Sequence, residues 1–234
     1  MSKPFKIFLA VTLICFSFLA VQPTKAEGID PKETQKFAEL MRFYANHSTE
    51  VSVSEIGEFT QVIQKAIDNR EVIVNERVEL LDFENASGKK FDEELENITT
   101  ITVPFKNNSS SKVESFSGLT VSFDSNLNIQ QYGEIQLVET DDRITSRVYT
   151  NGELAGSTVV NKTRNGERVQ PTDYLDDVQE CLVDFGITPD SAQAIISTCG
   201  LVCTITLGTG CIACLGVFGS IGMGIIIGCF TSQA

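Results

Sequence analysis

The groups richest in chemistry in this chain are thiols, and they are not spread evenly. Six of the seven cysteines, Cys181, Cys199, Cys203, Cys211, Cys214 and Cys229, fall in one C-terminal stretch. Cysteine can hold a metal, act as a nucleophile or close a disulfide, and its surroundings decide which. Cys199-x-x-x-Cys203 and Cys211-x-x-Cys214 have ligand-like spacing for zinc. However, the chain from Ser191 to Ala234 contains no Lys, Arg, Asp, Glu or His to orient a ligand or activate a thiol. The expectation is three disulfides, with no metal and no other cofactor.

The N-terminus supports that reading. Lys3 and Lys6 precede an apolar run from Ile7 to Val21, and a polar stretch follows, ending at Ala26. This is the form of a secretory signal peptide, and the run is too short to span a bilayer. A secreted, extracellular product is expected. Six cysteines crowded together in an oxidising compartment read as a bridge framework. The exported chain keeps 15 basic against 31 acidic residues, because the leader removes only Lys3, Lys6 and Lys25. Such a balance excludes nucleic acid as a partner and gives no charge attraction to anionic lipid.

The elements that must position the thiols follow from periodicity. If 192–207 and 211–230 are both helical, Cys199 and Cys203 stand one turn apart on the first helix, as do Cys211 and Cys214 on the second. Gly208-Thr209-Gly210 makes the turn between them. Facing residues of an antiparallel hairpin have position numbers with a nearly constant sum. That predicts a nested set of bridges: Cys203 with Cys211, Cys199 with Cys214, and Cys181 with Cys229 outermost. On the second helix Gly216, Ser220, Gly224 and Gly228 recur every fourth residue. A stripe of small residues lets helices approach closely in a membrane, and 20 uncharged residues make about 30 Å of helix. The same composition also suits the buried core of a small bridged domain.

The chain ahead of this tail is polar. Phe37, Leu40, Met41 and Tyr44 recur at helical spacing behind Pro31. Ser52-Val53-Ser54-Glu55 has the form of a capping box opening a second helix, along which Ile56, Phe59, Ile63 and Ile67 share a face. From Val72 the period becomes two, through Val72, Val74, Val78 and Leu80, then Ile98, Thr100 and Thr102, then Leu119, Val121 and Phe123. These read as half-buried antiparallel strands, with tight turns at Asn151-Gly152 and Asn165-Gly166. His47 is the only histidine, on a polar patch after a helix, the body holds no cysteine, and nothing in the sequence supports a Ser-His-Asp site built on that histidine, so no enzyme is expected. The fold class is α+β: two N-terminal helices and an antiparallel sheet, followed by a disulfide-stapled apolar helical segment. The divisions are 1–26 as signal peptide, 27–170 as polar domain and 171–234 as Cys- and Gly-rich domain.

The residues CGLVCTITLGTGCIACLGVFGSIGMGIIIGCF, 199 to 230, behind a leader and a polar body, resemble the C-terminal part of the halocin-like cysteine-rich bacteriocin precursors. The resemblance implies an exported precursor that is cut to release an antimicrobial peptide from roughly residue 172 onward. It also implies that the preceding domain binds that peptide and serves as an immunity protein. The implied partners are a target-cell membrane or membrane receptor, the chain's own N-terminal domain, and a processing protease. Arg164 and Arg168, in a polar connector, are the nearest basic residues for a cut. A second expectation stays open: a surface-displayed α+β protein whose uncharged tail is a membrane anchor.

Overall fold

The computed structural model describes residues 39, 43–44, 46–106, 114–162, 174–184, 187–205 and 229. It is an α+β structure built on one antiparallel sheet of seven strands, in which every strand pairs with its neighbours in sequence. The strands are β1 Ser48–Glu50, β2 Ser87–Phe91, β3 Thr99–Pro104, β4 Gly118–Phe123, β5 Ile129–Glu139, β6 Arg143–Thr150 and β7 Glu153–Asn161. Three helices are described: α1 Val53–Asp68, α2 Tyr174–Asp184 and α3 Pro189–Ile205. Residues 39, 43, 44 and 46 are helical, and the rest of the expected first helix lies outside the described residues.

Helix α1 begins where the sequence predicts. The Ser52 hydroxyl accepts from the Glu55 amide, and the Glu55 carboxylate accepts from the Ser52 amide. Lys90 on β2 also pairs with Glu55, and these partners hold its carboxyl down to about 2. Phe59, Ile63 and Ala66 are buried on the face that meets the sheet, where Phe59 packs on Phe123 with ring centroids 4.9 Å apart. Ile101, Val103, Leu119 and Val121, all fully buried, complete this first core.

The stretch from Val72 to Leu80 is not a strand, contrary to the period-two reading. It is a strap with a 3-10 turn at Val78–Leu80, and only Leu81 bridges to the sheet, opposite Phe105. The reason is where its amides go. The Ile73 amide donates to the Tyr132 hydroxyl, and the Asn75 and Glu76 amides donate to the carboxylate of Glu134 at 2.6 and 2.9 Å. Side chains of β5 therefore do the work a partner strand would do. Glu134 is 1 % exposed, and the donors around it compensate for burying a carboxylate.

β3 and β4 are buried on both faces rather than half-buried, because the sheet has cover on each side. The Asn151-Gly152 turn is as predicted, with both residues at positive φ in the tight connection from β6 to β7. Asn165-Gly166 lies outside the described residues.

Candidate functional site

The second face of the sheet carries the C-terminal helices. Alternation along β5, β6 and β7 places Ile135 and Leu137, Ile144 and Val148, and Val160 on this side, each at most 5 % exposed. Against them lie Val178 and Leu182 of α2 and Ala192, Ile195, Ile196 and Cys199 of α3, all within one core. The residues of α3 recur at three- and four-residue intervals, so one stripe of the helix meets β6 and β7. Fully burying an aliphatic side chain contributes about 1.5–3 kcal/mol, so several such contributions hold this contact.

Local chemistry fixes the two helices in sequence. Thr188 caps α3, its hydroxyl accepting from the Ser191 amide at 3.3 Å, and Pro189 occupies the first helical position, where no amide is needed. Gln179 of α2 donates to the Pro189 carbonyl at 3.2 Å and ties the helices together. Within α3, Thr198 donates to the Ala194 carbonyl at 2.6 Å, which satisfies a hydroxyl that is wholly buried. The helix starts earlier than the hydrophobic pattern indicates because Thr188 and Pro189 nucleate it.

Cys181, on α2, is bonded to Cys229, with Cα atoms 5.6 Å apart. Cys229 is fully buried in the same core. This is the outermost pair of the nested set. Cys199 is also disulfide-bonded. Cys211, Cys214 and the stripe Gly216, Ser220, Gly224 and Gly228 lie outside the described residues, as does the Cys203 side chain. The expected inner pairs, Cys203 with Cys211 and Cys199 with Cys214, therefore fall outside them too.

The other candidate group, His47, faces carboxylates through both ring nitrogens. Nδ1 is 2.7 Å from Asp92, Nε2 is 3.7 Å from Glu94, and the ring packs 4.4 Å from that of Phe43. The hydrogen bond to Asp92, with the charges of Asp92 and Glu94, raises the histidine above its ordinary value. A general base needs one nitrogen turned to a nucleophile. The observed arrangement is instead an ion-pair clamp between the start of β1 and the turn after β2. An open cleft of about 630 Å³ lies at the C-terminal end of α1 and is lined by amides such as Asn69, Gln131 and Asn151.

Two features carry weight in the structure that sequence reading missed. One is the Glu134 clamp, whose only signal was an acid flanked by Gly133 and Ile135 within an apolar strand. The other is a set of buried hydroxyls, Thr100, Thr102, Thr120 and Ser122, which resemble a solvent-facing edge in sequence and are 1, 1, 2 and 5 % exposed. No family model, no curated protein and no solved structure matches this chain.

Proposed function

We propose that the chain is the secreted precursor of an antimicrobial, membrane-active peptide at its C-terminus, and that residues 27–170 hold this peptide latent. The observation that carries this reading is the self-closure of the C-terminal segment. Cys181–Cys229 joins its beginning to its end, while no cysteine lies between residues 27 and 173. A cut in the connector that holds Arg164 and Arg168 leaves a bridged piece with no covalent tie to the sheet. What remains is the aliphatic contact of α2 and α3 with β5–β7, which an apolar acceptor such as lipid can replace.

The likeness of residues 199–230 to the halocin-like precursors supports the same reading, and the domain before the cut would then be the immunity partner. The chargeless tail has no electrostatic route to a membrane, so apolar burial or a membrane receptor must supply the affinity. The test is to cut the secreted protein in the connector, purify the oxidised C-terminal piece, and measure dye leakage from phosphatidylcholine–phosphatidylglycerol vesicles and growth of a panel of microbes. Activity that appears only after separation from 27–170 is expected. An oxidised, separated piece that neither binds vesicles nor slows any cell defeats the proposal.

A further inference from the structure

The cleft at the C-terminal end of α1 has no part in the release of the C-terminal segment. Its walls come from the last turn of α1, the β4–β5 hairpin and the turn after β6, and none of its lining residues belongs to the core that holds α2 and α3. Five residues with side-chain amides line it: Asn69, Asn128, Gln130, Gln131 and Asn151. Three of these amides are oriented by the protein itself. The Asp124 carboxylate only accepts, so it draws Asn128 Nδ2 at 2.9 Å and Gln130 Nε2 at 3.3 Å toward itself. The Tyr132 backbone amide only donates, so it fixes Asn151 Oδ1 at 3.1 Å. The carbonyl oxygens of Asn128 and Gln130 and the side-chain nitrogen of Asn151 then have no protein partner among the described residues. Backbone strain gathers at the same place. Leu127, on the rim, has φ of 64° and is 43 % exposed, and Asn151 has φ of 49°. A leucine held in the left-handed region with its side chain in water serves no core of this fold.

We infer that this cleft binds a neutral oligosaccharide, whose hydroxyls bond the amides of Asn69, Gln130, Gln131 and Asn151 while the C–H face of a ring packs on Leu127. An amide side chain offers a donor and an acceptor together, and a hydroxyl is the ligand group that answers both. The cleft volume, about 630 Å³, lies within the usual span for small-ligand sites, about 300–1,000 Å³. Other ligand classes lack what they need here. Lys65 and Glu71 are the only charged residues among those lining the cleft, and their charges offset each other, so a phosphate backbone finds no net countercharge. No group of three metal-ligating side chains occurs among the described residues. The strands that frame the cleft, β4 and β5, are each paired on both edges, so a peptide cannot join the sheet there as an added strand. The site is separate from the proposed release, since 27–170 carries it before and after any cut.

Nuclear magnetic resonance titration of the intact, isotope-labelled secreted protein with maltotriose, mannotriose and chitotriose at millimolar concentration tests the inference. At least one of these sugars is expected to shift the amide signals of Asn69, Gln131 and Asn151 and to leave those of α3 in place. The double variant Asn69→Ala, Gln130→Ala alters exposed side chains only and should weaken that binding about tenfold with an unchanged urea midpoint. Leu127→Gly suits the positive φ, so it should bind several-fold more weakly without any fall in melting temperature. Silence with all three sugars, a double variant or a Leu127→Gly variant that binds like wild type, or a matching response to trialanine or oligothymidylate overturns the inference.

Discussion

The two faces of this sheet are closed by different means. The α1 face is an aromatic and aliphatic core bounded by charged clamps, with Glu55 on Lys90 and the Glu134 carboxylate on the strap amides. The C-terminal face is mainly aliphatic, with the rings of Tyr44, Phe91 and Phe116 in the same core beside thiols and small residues, and no charged side chain occurs in the chain after Asp190. Its covalent closure runs within the C-terminal segment and not from that segment to the sheet. One face is knitted into the body at many points of the chain. On the other, the C-terminal helices share one core with β5–β7 and are closed on themselves by Cys181–Cys229; the proposed release of this segment rests on that asymmetry.

Removing the outer bridge should break the comparison most severely. In the chain-entropy account, a loop closed over a sequence separation of 48 is worth about 4 kcal/mol. The double variant Cys181→Ser, Cys229→Ser is expected to lose protection from amide exchange in α2 and α3 while β3 and β4 keep theirs. Equal loss in both regions would mean that the two faces unfold as one unit and that the C-terminal part has no independence.

A matched pair of cavities sharpens the same contrast. Ile63 and Ile195 are both 0 % exposed, one on each face. Truncating either to alanine removes about 2–5 kcal/mol locally. Ile63→Ala should lower the urea midpoint of the whole sheet, whereas Ile195→Ala should loosen α3 and leave the β3–β4 transition near its wild-type midpoint. Identical shifts would contradict the division into body and resting unit.

How far the sequence foretold this division differs between the regions for physical reasons. The capping box at Ser52, the turn at Asn151-Gly152 and the outer bridge were legible because each depends on residues at fixed local spacing or on a simple hairpin geometry. The strap at 72–80 was misread because Val72, Val74, Val78 and Leu80 alternate like a strand. Its amides are satisfied by Tyr132 and Glu134, nearly 60 residues away, and no local pattern records that. Thr100 and Thr102 were equally deceptive, since alternating threonines on a strand normally face water. Only the fold shows that both faces of β3 are covered.

The Glu134 clamp offers a test confined to the body. Glu134→Ala leaves the Asn75 and Glu76 amides without their acceptor, and losing bonds to a charged group should cost about 2–3 kcal/mol. The expected signature is fast amide exchange at Asn75 and Glu76, with exchange in α3 unchanged. Glu134→Gln, which keeps an acceptor oxygen, should fall between wild type and alanine.

The smallest expected effect is also the only one set by pH near neutrality. His47 is raised above its ordinary 6.5, chiefly by its hydrogen bond to Asp92, with Glu94 adding attraction. A raised folded value means the clamp's contribution is complete below 6.5 and fades as pH rises through the raised value. Melting temperature should therefore decline modestly across that window in wild type and stay flat in His47→Gln. Asp92→Asn should flatten it as well, since it removes the larger of the two attractions. The chain from Ser191 onward has no carboxylate, histidine or basic side chain. Exchange in α3 should therefore ignore the transition that the β1–β2 end of the body follows. If α3 instead tracked pH with the same midpoint, the histidine clamp would be coupled to the bridged unit through the sheet, and the two faces could not be the separately closed surfaces described above.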